Sequence, residues 1–174
     1  MRMSYTRQFA IAFALVGLVH SVPVWAADAN NAPSSELKID VPVPLKASKV
    51  VFNMDHLAFA GDQSIGLTYM KLMLQNYKAK ETPLQIIAVF HSVAGYMLLN
   101  DAAYNKARRS DKGNPYKETI ASLQKEGVEF EECGQTARAN GWVNSDLLPD
   151  VKVNTGANLR LVQLMQDGFV SLQP

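Results

Sequence analysis

The sequence predicts an α/β domain with three layers, a mainly parallel five-stranded sheet lying between helices. Three observations carry that expectation. Short apolar runs alternate with amphipathic stretches five times between Val50 and Leu172, joined by short connections. Leu84 to Phe90 is an unbroken, largely branched and apolar run, the pattern of a strand buried on both faces of a parallel sheet. The length of 174 residues suits a single domain, and no internal repeat or low-complexity tract interrupts the alternation.

The chain opens on a targeting segment. Arg2 and Arg7 supply a positive start, and Phe9 to Leu18 is an apolar stretch too short to span a bilayer. Ser21-Val22-Pro23 breaks it, and Val24-Trp25-Ala26 offers a signal-peptidase site. Residues 1–26 are therefore expected to be a cleaved signal peptide, with a mature start near Ala27 and a periplasmic location. Residues 27–47 read as a flexible or extended lead-in, polar to Glu36 and then stiffened by Val41-Pro42-Val43-Pro44. The α/β domain is expected over 48–174.

Within that domain, Val50 to Met54 reads as the first strand. Ser64 to Tyr77 places Ile65, Tyr69, Leu72 and Met73 at helical spacing. Leu84 to Phe90 is the second strand, and Gly95 to Ala107 a second helix. Asn114 as N-cap, Pro115 in the first turn and Gly127 as stop frame a third helix. Val128 to Cys133 is the third strand, with a helix expected from about Gln135. Val151 to Asn154 is the fourth strand, a last helix runs from Gly156 to Gly168, and Phe169 to Leu172 is the fifth strand.

Losing Arg2 and Arg7 from 17 basic residues leaves a near-neutral chain against 16 acidic ones. No basic stripe is present, so nucleic acid is not an expected partner. After signal removal no segment is long and apolar enough for a membrane span. One cysteine and two mature histidines, His56 and His91, show no metal-ligand spacing. The glycines do not form G-x-G-x-x-G, and Ser92 has neither a G-x-S-x-G elbow nor a visible triad. No cofactor and no metal is expected.

Cys133 is the candidate site. As the lone cysteine of an exported chain it cannot close an internal disulfide, so it is inert and buried, paired with another molecule, or reactive. It ends a strand and precedes a helix, whose free N–H groups would favour a thiolate or a persulfide anion. Arg138 would assist. Glu131, on the same strand face, and Glu132, on the other, would oppose it, although a solvated Glu131 would be screened. His91 ends the second strand, and Asn53, Asp55 and His56 lie at the end of the first. In a parallel sheet these ends share the edge where such folds bind ligands.

Val89-Phe90-His91, the run Gly127 to Thr136, Asp146-Leu147-Leu148-Pro149 and the closing Leu161 to Pro174 resemble the DsrE/DsrF-like sulfur-relay family, in particular its small single-domain YchN-like branch. The resemblance covers roughly 48–174. It implies a five-stranded parallel sheet, a homo- or hetero-oligomer, often a trimer or hexamer, and a strand-end cysteine that carries persulfide sulfur from a donor to an acceptor, either a protein or a small thiol. Cys133 matches that cysteine, and His91 matches a strand-two histidine common in the branch. Ser92 stands where a glycine is usual after the histidine. Two functions follow as expectations: a periplasmic sulfur carrier or sulfurtransferase-like protein using Cys133, or a non-enzymatic oligomeric module binding a small ligand at the strand ends.

Overall fold

A computed structural model describes residues 37–174. In chain order it contains β1 (Ser48–Met54), β2 (Phe59–Ala60), β3 (Gln63–Ser64), α1 (Ile65–Ala79), β4 (Leu84–Phe90), a 3₁₀ segment (Ser92–Leu98), α2 (Asp101–Arg108), α3 (Lys117–Lys125), β5 (Glu129–Cys133), α4 (Gly134–Asn140), a 3₁₀ turn (Asn144–Asp146), β6 (Lys152–Asn154), α5 (Ala157–Gln166) and β7 (Val170–Leu172). Residues 37–47 carry neither helix nor strand. Val43–Pro174 forms one compact unit. The signal-peptide expectation and the start of the lead-in lie outside the described residues.

The five long-range strands form one sheet in the order β6-β5-β4-β1-β7, every pair parallel. β4 is central, and its side chains are buried on both faces. Ile86, Ala88 and Phe90 join Val50, Phe52, Met54 and Phe130 on one face, while Ile87 and Val89 join Val51 on the other. The apolar run in the sequence is thus explained by a strand with no solvated side.

The handedness of parallel crossovers distributes the helices. The path β1 to β4 to β5 steps one way across the sheet. Its crossovers place α1 (Leu67, Met70), α2 (Tyr104) and α3 (Ile120, Leu123) on the first face. The return from β6 to β7 runs the opposite way, so its crossover helix, α5, must lie on the second face. Ala157 and Leu164 of α5 pack there with Val51, Val89, Phe169 and Cys133.

Several element boundaries differ from expectation. The helix expected over Gly95–Ala107 is divided. A 3₁₀ segment ends at Leu98, Leu99 bridges to Leu147, and Asn100 caps α2 by accepting from Ala103 N–H at 2.9 Å. Asn114 is not the cap of α3, which starts at Lys117 after Tyr116. Its buried amide instead donates to the carbonyls of Met97 and Leu99, at 2.8 and 2.6 Å, and accepts from Tyr116 N–H. A buried polar group needs such partners, and these hold the divided segment in place. α4 begins at Gly134, one residue before the expected Gln135, and β6 begins at Lys152. The hairpin β2–β3 is an addition. Gly127 does end α3's turn, at φ +96°.

Candidate functional site

Cys133 is the last residue of β5 and the N-cap of α4. Strand alternation puts its side chain on the α5 face with Glu131, and Glu132 on the opposite face with Phe130. The thiol is only 4% exposed. Burial pushes its pKa up, but four donors outweigh burial and hold it below the ordinary thiol range: the N–H groups of Thr136, Ala157 and Gln135, and the Thr136 hydroxyl. The Ala157 N–H lies 3.3 Å from Sγ. Ala157 is the first residue of α5, so the starts of two helices converge on one sulfur. The sequence reading identified α4 and missed α5. Gly156 marked the start of α5, but only the strand order, with β6 beside β5, brings that start to Cys133.

The Thr136 hydroxyl has a second role, accepting from Ser92 N–H at 3.0 Å. Ser92 sits at φ +55°, in the left-handed region where glycine is favoured. This is the position where the sequence reading noted serine in place of the usual glycine. The serine adopts the conformation a glycine would supply, and its N–H is anchored on the threonine beside the sulfur.

Glu131 corrects an expectation. It is not solvated but 3% exposed, and Arg160 of α5 grips it through Nε at 3.0 Å to both oxygens and Nη2 at 2.7 Å to Oε1. Asn154 Nδ2 adds a bond to Oε2 at 3.1 Å. Neutralisation by a bidentate guanidinium, not solvent screening, removes its opposition to a thiolate. Arg138, the expected helper, is exposed, and Arg160 is the cation built into this face.

His91 follows Phe90, the register partner of Glu132, so His91 and Cys133 end neighbouring strands. The His91 ring is held by Asn53, with Nε2–H donating to Oδ1 at 2.8 Å, and among the described residues no hydrogen bond joins it to Cys133. Burial lowers its pKa, favouring neutral imidazole, while Asp55 pulls weakly the other way. Asp55 and His56 pair at 2.5 Å at the rim, and the carboxyl also accepts from Gln173 of the C-terminal tail.

A concavity of about 1070 Å³ between the hairpin, α1 and α3 does not contain the cysteine. A smaller hollow of about 490 Å³, lined by Ser92, Tyr96, Thr136, Asn140 and Trp142, approaches it through Thr136. It is the better candidate for approach to the sulfur, because Thr136 touches both.

With this geometry in hand, the comparisons with known proteins are decisive. The model of the DsrE/DsrF-like family matches residues 46–174. The chain belongs to that family. Among solved structures, this DsrE-like chain is similar to MTH1491 from Methanobacterium thermoautotrophicum, a protein of unknown function, at 25% identity and a TM-score of 0.53. It is also similar in fold to the ychN protein from E. coli, at 16% identity and a TM-score of 0.50. Each alignment covers 73% of this chain and 99% of the other. No curated protein sequence matches the chain. Among the described residues no helix is long and apolar enough to cross a membrane.

Proposed function

We propose that this chain is an exported sulfur carrier that accepts sulfane sulfur on Cys133. The observation that carries the reading is the convergence of the α4 and α5 N–H groups on Sγ, which lowers the thiol pKa by stabilising the thiolate. The step is a transfer without net oxidation. The Cys133 thiolate attacks the outer sulfur of a donor R–S–SH, a Cys133 S–S bond forms, the donor S–S bond breaks, and its electron pair leaves as R–S⁻. The product Cys133–S–SH gives its proton to R–S⁻ or to solvent, and the N–H groups that favour the thiolate also favour the persulfide anion so formed. His91, its ring oriented by Asn53 and its pKa lowered by burial, stands at the adjacent strand end as a polar wall.

The reading includes assembly into a homo-oligomer, supported by α5. Its outward residues Leu159, Val162 and Met165 are 65, 51 and 48% exposed, opposite the face that buries Ala157 and Leu164. A second copy of the chain would cover this apolar stripe. The periplasmic location rests on the N-terminal sequence alone.

The test is mass spectrometry of the mature protein after exposure to polysulfide or thiosulfate, with Cys133→Ser as blank. The carrier reading expects adducts of about 32 Da per sulfur atom on Cys133 alone, as sulfane sulfur adds to a thiolate. Native protein that takes up no sulfur would refute it. The 4% exposure of the thiol favours a second reading, a ligand-binding module in which Cys133 is a packed residue. That reading expects no adduct and no native-state alkylation.

A further inference from the structure

Three buried side-chain atoms in the described residues have no hydrogen-bond partner: both carboxyl oxygens of Glu132, and Asn154 Oδ1. All three flank the end of β5 that carries Cys133. Glu132 precedes it in β5, and Asn154 faces it across the β5–β6 register. Orphaned buried polar atoms are rare in folded proteins, and three at one strand end, two on the face behind the thiol and one on its own face, mark a site.

Glu132 is the extreme case, with 0% exposure. Its neighbours in the sheet register are Phe90 and Val153. Above it the 3₁₀ segment Ser92–Leu98 carries no charge and one ionisable side chain, Tyr96. That segment can lie so close because it has a glycine there: a Cβ at Gly95 would stand 2.6 Å from Glu132 Oε1 and 3.0 Å from Thr136 Cγ2. α4 contributes Thr136 and, exposed, Arg138. Arg160 is on the opposite face, committed to Glu131. Among the described residues no cation therefore meets the Glu132 carboxyl, and the charge that acts on it is that of Cys133. Burial first, and Cys133 second, push its pKa up to about 9.

We propose that Glu132 and Cys133 form a coupled pair holding one negative charge between them, in which Glu132 keeps its proton while the sulfur is charged and yields it more readily once that charge is capped. The proposal rests on the reading of Cys133 as a thiolate. Two adjacent buried acids cannot both ionise cheaply, so they titrate as a unit in two steps. The neutral carboxyl lets the sulfur carry its charge without a like charge one residue away. When an alkylating agent replaces the thiolate by a thioether, its leaving group departs as an anion and the Glu132 proton can pass to solvent. A persulfide anion keeps the charge one bond farther out and gives an intermediate response.

Infrared spectroscopy reads this directly, because a protonated carboxyl absorbs apart from carboxylates. At neutral pH the wild type is expected to show a carboxylic-acid band that Glu132→Gln removes. Capping Cys133 with iodoacetamide, or Cys133→Ala, is expected to move the midpoint of that band down by about one pH unit or more, the scale at which two sites titrate as a pair. The midpoint stays above that of an exposed glutamate because burial persists. Circular dichroism of each variant checks the fold. The absence of a Glu132 band at neutral pH, or a midpoint unmoved by both changes, overturns the proposal. Sulfur loading is scored separately. If Cys133 takes no sulfur but the band still moves, the carrier reading fails and the pair stands; if sulfur loads and the band does not move, the pair fails.

Discussion

Replacing Arg160 by leucine tests whether the second face of the sheet depends on one ion pair. In the native protein Glu131 is 4% exposed at its side chain and Arg160 24%, joined by three hydrogen bonds. Removing one partner of a fully buried pair costs about 3–5 kcal/mol, because the other charge is left uncompensated. The guanidinium is a quarter exposed, and Asn154 remains as a donor to Glu131, so the expected loss for Arg160→Leu is at the lower end, about 2–3 kcal/mol. For a unit of this size that corresponds to a fall in Tm of roughly 6–12 °C. Urea denaturation of the mature protein, read by circular dichroism, supplies the measurement. Glu131→Leu combined with Arg160→Leu removes both charges and is expected to recover most of the loss, since well-packed apolar replacements of buried pairs are often neutral. The single variant carries a second signature: an unpaired Glu131 on the Cys133 face raises the midpoint of native-state alkylation. The reasoning is refuted if Arg160→Leu lies within about 0.5 kcal/mol of wild type, the range of inert surface changes. It is equally refuted if the double variant is no more stable than the single one.

Four further outcomes follow from the geometry. Thr136→Val removes the hydroxyl that favours the Cys133 thiolate and receives Ser92 N–H, so the alkylation midpoint should rise, while Thr136→Ser should leave it near wild type; equal midpoints would exclude the hydroxyl. Glu132 keeps its proton in the folded state between the ordinary glutamate value of 4.5 and about 9, whereas the unfolded chain loses it; the contribution is full below 4.5 and is lost as pH rises toward 9. Stability should thus decline across that window by at most about 1.4 kcal/mol per pH unit, and Glu132→Gln should flatten the curve measured by urea titration at several pH values. Gly95→Ala drives a methyl against Glu132 and should destabilise by about 1–3 kcal/mol, with partial relief in Glu132→Ala, which a two-by-two set of denaturation curves resolves. Val162→Asp charges the outward stripe of α5 and should lower the mass found by light scattering, with little change in Tm; an unchanged mass would remove α5 from the assembly reading.

Local pattern carried the strands and most helices, because period and punctuation are local properties. The alternation in Val128–Cys133 correctly separated Glu131 from Glu132, and the continuous run Leu84–Phe90 correctly implied burial on both faces. Elements stabilised by remote partners were not legible. Gly95–Ala107 has helical spacing, yet the Asn114 amide and the Leu99–Leu147 bridge divide it. The hairpin strands are two residues each, too short to show a period. At the site, Cys133 and its strand-end position were readable, but Ala157 and Arg160 were not, since each is more than twenty residues away in the chain. The fate of Glu131 shows the same limit: a sequence shows a carboxylate and gives no sign of whether water or a guanidinium will meet it.

The second face of the sheet has a consequence for access to the sulfur. Among the described residues it is covered by one helix, α5, which hangs between β6 and β7, each three residues long and each at an edge of the sheet. Few backbone bonds tie residues 152–172 to the rest, while β1 and β4 are paired along seven residues each. Segments tied by few backbone bonds open locally at free energies below that of global unfolding, and we expect this one to do so. Cys133 then need not be exposed in the resting state to react. Its observed rate becomes the intrinsic rate scaled by the population of this open form, and amide exchange in α5 should report the same population. Anything that clamps α5, including a second copy seated on its outward stripe, would therefore set how fast the buried thiol meets its substrate.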